Sequence, residues 1–175
     1  GRMRDKPVKE RFIKEKPSLS RENTAGDGLE GKIDKEALSA AMHYITPKDR
    51  TTSEVRAFLS KKEYSPHEID GVMEYLLTKG FLNDLRYAEY YIAEAFEKGK
   101  SRGKTEAELL EKGIRDSDVQ LAFELSSDLS SEEEKAMQEA EAIIQREGPS
   151  SKSLRKVSSR LGYLGFEGEL IYEIV

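Results

Sequence analysis

Three stretches about fifty residues apart carry one apolar pattern. Ile69, Val72 and Met73 reappear as Val119, Ala122 and Phe123, then as Ile171, Ile174 and Val175, at offsets of 50 and 52. Upstream of each copy stands a second set: Val55/Leu59/Tyr64, Thr105/Leu109/Ile114 and Val157/Leu161/Phe166. The first two members of each lie four residues apart, on one face of a helix. A third set, Ala37, Ala40, Ala41, Tyr44 and Ile45, maps onto Ala88, Tyr91, Ile92, Ala95 and Phe96, the i, i+3, i+4, i+7, i+8 stripe of an amphipathic helix. Its last copy, Ala140, Ile143, Ile144, Glu147 and Gly148, loses apolar character at the end and predicts a helix that stops a turn earlier. Three helices repeated three times predict an all-α tandem array.

Polar punctuation agrees with the stripes. Ser65-Pro66-His67-Glu68 places an N-cap hydroxyl, a first-turn proline and a returning carboxylate in the capping-box order, and Thr51-Thr52-Ser53-Glu54 repeats the hydroxyl and carboxylate. Thr51, Ser101 and Ser153 occupy equivalent positions and are expected to cap equivalent helices; Asp84 is expected to cap a helix from Leu85 to Glu97. Gly80, Gly113 and Gly165 follow helical stretches where a left-handed residue ends a helix at little cost. The predicted units are repeats at 32–80, 81–129 and 130–175, preceded by a basic segment at 1–31. That segment carries a net charge of +4 over its first sixteen residues and a Gly26-Asp27-Gly28 hinge.

Composition narrows the function. No run approaches the eighteen or so apolar residues of a membrane span; no membrane role is expected. Cysteine is absent, which removes a disulfide framework and fits the cytoplasm. A net charge of −5 is the wrong bias for a protein that lives by neutralising bare duplex phosphates. Positive charge is local instead. Lys98, Lys100, Arg102 and Lys104 alternate through one turn, and Lys152, Arg155, Lys156 and Arg160 share one short helix. Val157 and Leu161 fix that helix's buried side and leave the cations off it, so both clusters are candidate contacts for a partner or nucleic acid. Tyr87, Tyr90 and Tyr91 beside the first cluster could serve as stacking platforms or as packing residues. The histidines His43 and His67 lack metal-pair spacing, and no positioned base or nucleophile is visible. No catalytic residue, metal or cofactor is expected.

One segment carries a resemblance. From Gly80 to Tyr91 and Glu97 to Ile114 the chain supplies Phe81, Leu82, Asp84, Arg86, Tyr87, Lys98, Gly99, Leu109, Lys112, Gly113 and Ile114, and there it resembles the RecX family of recombination regulators. The first repeat joins through Thr51 to Leu59 and the third through Leu161 to Phe166. Among these residues Asp84, Arg86, Tyr87, Gly99, Leu109, Lys112, Gly113 and Ile114 are read as mainly structural. The sequence departs from the family at Ser101, where a glycine is frequent, and at Thr105, where an aliphatic residue is usual. Thr105 either bonds back to a carbonyl one turn earlier or sits in a looser core.

The resemblance implies an elongated, curved array of three tandem three-helix repeats. It also implies a function: binding the RecA recombinase, chiefly as a filament on single-stranded DNA, and restraining its ATP hydrolysis, filament growth and strand exchange. The expected partner is the RecA filament, with single-stranded DNA as a second contact, and the chain is expected to act as a monomer. A helical-repeat adaptor for another protein and a helical DNA-binding module are the alternative readings.

Overall fold

The computed structural model describes residues 33–126 and 131–175; the basic segment at 1–31 lies outside the described residues. Within them the chain forms nine helices and no strand. In chain order these are α1 (Lys35–Ile45), α2 (Thr52–Lys61), α3 (Pro66–Thr78), α4 (Asp84–Glu97), α5 (Arg102–Glu111), α6 (Asp116–Leu125), α7 (Glu132–Glu147), α8 (Ser151–Leu164) and α9 (Gly168–Ile174). Each consecutive trio closes on its own core. Ala37, Ala41, Val55, Leu59, Val72 and Leu76 pack in the first. Ala88, Ile92, Leu109, Val119 and Ala122 fill the second, and Ala140, Ile143, Val157, Leu161 and Phe166 fill the third. All of these but Leu76 are striped positions, so the periodicity identified the core-facing sides. The third trio is thinner at its end, because α9 buries none of its residues and Val175 is exposed.

Several boundaries differ from expectation. Asn83, not Asp84, caps α4, its side chain accepting from the Arg86 amide at 3.0 Å. Thr51 and Ser101 cap α2 and α5 as expected. Ser153 does not cap α8, which begins a turn earlier behind Ser150 and a Ser150–Ser153 capping box. The expected early stop of α7 is only slight: it reaches Glu147 and ends at Gly148, whose positive φ halts it without an apolar anchor. Thr105 resolves to the first of its two readings. It is buried, and its hydroxyl donates to the Ser101 carbonyl at 2.8 Å.

The three cores are joined by helix ends. At the first joint the Thr51 hydroxyl accepts from the Glu54 amide and donates to the Lys112 carbonyl at 3.0 Å. The Thr52 amide donates to the Asp84 carboxylate at 2.8 Å. At the second joint the Ser101 hydroxyl accepts from Lys104 N and donates to the Gly165 carbonyl at 2.8 Å, while the Arg102 amide donates to Glu132 at 2.7 Å. The rule is the same twice: the amino end of one repeat's middle helix receives the carboxyl end of the next repeat's middle helix and a carboxylate from its first. Opposite ends of helix dipoles meet, and orphan amides and carbonyls satisfy one another.

Gly113 and Gly165 make this approach possible. Both have positive φ, and a Cβ at Gly113 would lie 2.4 Å from the Ser53 Cβ, while one at Gly165 would lie 2.5 Å from the Lys104 Cβ. Glu63 holds the corresponding place at the end of α2, also at positive φ, where its side chain is exposed.

Candidate functional site

The second joint brings part of one basic cluster to the other. Lys104, in the first turn of α5, reaches across to the end of α8, where its ammonium donates to the Tyr163 carbonyl. The same ammonium sits 4.3 Å from the Tyr163 ring centroid, and the Arg160 guanidinium lies 5.7 Å from that ring. Cations over a ring face are attracted by its quadrupole. Tyr163 is nevertheless 69% exposed. Sequence reading missed it. The signal was available, since Ser153, Val157, Leu161 and Leu164 form the buried side of α8 and Tyr163 is off it.

Along the rest of α8 the charge is one-sided. Ser151–Leu164 contains Lys152, Arg155, Lys156 and Arg160, all exposed, and no carboxylate. Lys156 pairs with Glu147 at 2.5 Å, and Arg160 with Glu139 at 3.6 Å. The Lys156 ammonium beside it holds the Glu147 carboxyl below its ordinary range. Lys152 stands in the first turn, where a helix dipole disfavours positive charge, so its placement gains nothing for folding. Glu139 packs its carboxylate against Gly99 while pairing with Arg160, a second tie between the basic turn and the basic helix.

The remaining cations of the turn are directed elsewhere. Lys100 pairs with Glu108 at 3.1 Å and lies 5.7 Å from the Tyr91 ring. Arg102 bonds Gln120 at 3.2 Å and covers Phe123 at 4.4 Å. Lys98 is the exposed C-cap of α4. Of the two predicted clusters, Lys104 and the four cations of α8 therefore form one face, and Lys100 and Arg102 hold the second repeat together.

The tyrosines singled out in the sequence are also engaged in packing. Tyr87 and Tyr91 stack with ring centroids 6.2 Å apart. The Tyr91 hydroxyl donates to Glu108 at 3.0 Å and that of Tyr90 to Glu94 at 2.5 Å. Burial, with the Glu54 and Asp49 carboxylates nearby, pushes the Tyr87 phenol up to about 12. Burial and their carboxylate acceptors raise those of Tyr90 and Tyr91 as well. Burial works against the Glu108 carboxylate, but hydrogen bonds from Lys100 and Tyr91 hold it below its ordinary range.

The residues of the family-like segment lie in the scaffold. Asp84 ties the first joint, Arg86 donates to the Gly80 carbonyl at 3.2 Å, Leu109 and Ile114 are buried, and Lys112 and Gly113 form the end that docks on Thr51. Gly99 gives way to Glu139. Among the described residues no group of three or more His, Cys, Asp or Glu side chains could hold a metal ion, and no helix is long and apolar enough to cross a membrane.

Two of the three helix trios match known three-helix domains. Residues 37–76 match the family description of the first RecX three-helix domain, and residues 83–122 that of the second. The regulatory protein RecX of Clostridium acetobutylicum is 35% identical over 147 residues, covering 79% of this chain and 68% of that protein. The regulatory protein RecX of Listeria welshimeri is 26% identical over 169 residues, covering 95% of this chain and 62% of its own length. Against Listeria monocytogenes relatives the chain spans about half of the longer protein, 51%. The crystal structure of RecX from Lactobacillus salivarius superposes with a TM-score of 0.65 at 26% identity, covering 79% of this chain and 92% of that one.

Proposed function

The chain belongs to the RecX family of regulatory proteins, and from that premise we propose that it binds the RecA recombinase assembled on single-stranded DNA and restrains its ATP hydrolysis, filament growth and strand exchange. The observation that carries this reading is the joining of Lys104 to the exposed cations of α8 across two repeats. In a protein of net charge −5, a helix with four exposed cations and no carboxylate of its own, two of the cations paired with Glu147 and Glu139, offers a surface suited to acidic protein or phosphate, and electrostatic complementarity of this kind steers encounter and fixes register. Tandem repeats add length, since each one extends the surface offered to a periodic partner.

In this reading the family-like segment builds the scaffold, and the third repeat with Lys104 makes the contact. Regulation needs no chemistry from the chain; occupying the filament is enough. The test is DNA-dependent ATP hydrolysis by the RecA of the same organism, with this protein in stoichiometric excess at moderate salt. The rate falls if the reading holds. An unchanged rate, with binding to some other protein recovered instead, replaces it with an adaptor role.

A further inference from the structure

Tyr163 is a large aromatic side chain at the meeting point of the two basic elements. It is 69% exposed, although the ring is held in a defined place. Its carbonyl accepts from Lys104 of the neighbouring repeat, and its ring is flanked by the Lys104 ammonium at 4.3 Å and the Arg160 guanidinium at 5.7 Å. By contrast the hydroxyls of Tyr90 and Tyr91 are tied to carboxylates. A solvated tyrosine costs apolar exposure that packing does not recover. A solvent-exposed ring with two cations close by is an arrangement suited to an unpaired base and the phosphates next to it, since every base offers a π-face and stacking tolerates any sequence.

We propose that Tyr163 is a stacking platform for an unpaired nucleobase, with Lys104 and Arg160 taking the adjoining phosphates. It rests on the reading of this face as the interface, and it names single-stranded nucleic acid rather than acidic protein as the occupant of this spot. Charge favours that choice: α8 has four cations and no carboxylate of its own, and the ring supplies what a purely ionic protein contact would not need. The Lys104 ammonium, on a flexible stem, leaves the ring face as the base arrives and moves to a phosphate at its edge. Because Lys104 and Tyr163 belong to different repeats, the platform exists only when the second joint is closed.

The chain contains no tryptophan, so Tyr163→Trp introduces a single fluorescent reporter at the ring itself. Titration of this variant with a single-stranded oligothymidylate, without RecA, is expected to quench the emission. Tyr163→Ala is expected to weaken oligonucleotide binding by roughly five- to 150-fold, with melting unchanged because the ring is exposed, and Tyr163→Phe is expected to retain binding. Lys104→Ala and Arg160→Ala should each lower the salt slope of binding by roughly 0.7. A duplex of the same sequence should leave the tryptophan unquenched. The proposal is overturned if the oligothymidylate leaves Trp emission and Tyr163→Ala affinity unaltered, or if emission responds only to RecA free of DNA, which would make this a protein contact. Failure of the regulatory reading looks different: the tryptophan is quenched by oligonucleotide while RecA ATP hydrolysis stays unaffected.

Discussion

A single methyl group decides whether the joints close. Gly113 and Gly165 permit the backbone of one repeat to meet the middle helix of the one before, and Glu63 shows that the same turn accepts a side chain where that side chain is exposed. Gly113→Ala combines a left-handed backbone with a clash at Ser53 and is expected to cost about 1–3 kcal/mol. Gly103, in the first turn of α5 with open space around its Cβ position, gives the opposite result: Gly103→Ala should stabilise by about 0.4–1 kcal/mol, chiefly by restricting the unfolded chain. Urea unfolding of both variants checks the pair, and equal effects would refute the account of the joint. The glycines were legible as helix stops because a left-handed residue leaves a local signature. Their docking role was not legible, since the partner carbonyls and hydroxyls lie 61 and 64 residues apart in the chain. Asp84 was misplaced for the same reason: a carboxylate at a helix start suggests a local cap, but its acceptor oxygen serves an amide 32 residues away.

The helices themselves were the most legible level, because each stripe repeats with its caps and only one spacing places all apolar members on one side. What separates the elements in behaviour is how the joints are built. The first is anchored by apolar side chains, with Leu82 of the α3–α4 connection buried in the first core and Phe81 packed against it. Among the described residues, polar groups tie the second. Glu132 accepts from the Arg102 amide and pairs with Lys135 at 3.0 Å, and the nearly buried Lys135 also donates to the Lys100 carbonyl at 3.1 Å. Beside them a crevice of about 340 Å³ opens between Phe96, Phe123 and Lys135. Interfaces with little apolar burial yield first. Glu132→Gln keeps the shape but leaves the Lys135 ammonium without its counter-charge; Glu132 is 37% exposed at its side chain, so the cost is set at about 1 kcal/mol. Spin labels on cysteines introduced at exposed Glu111 and Glu141 should report a broader distance distribution in Glu132→Gln than in the parent. An unchanged width would mean that the ion pair does not hold the joint.

At the scale of the whole molecule, three small cores carry the fold and the spaces between them carry the surface. Composition indicated an acidic chain with two basic islands, but not that one island divides, with Lys104 joining α8 while Lys100 pairs with Glu108 and the exposed Arg102 is tied to Gln120 and Phe123 of its own repeat. That division depends on rotamers and neighbours that no pattern along the chain encodes. The family segment was visible in the sequence because it builds helix ends and turns. Tyr163 was legible only as an aromatic off the buried stripe of α8; its place beside Lys104 of the preceding repeat, 59 residues away, leaves no mark along the chain. Above these stands the proposed engagement of RecA filaments by the joined basic face. Its most direct test is equilibrium binding to preformed RecA filaments on single-stranded DNA, comparing the parent with Lys104→Ala/Arg155→Ala/Arg160→Ala after circular dichroism shows equal helicity. Filament binding by the parent is expected, weakened at least tenfold in the triple variant; equal affinity of the two proteins would remove the basic face from the interaction.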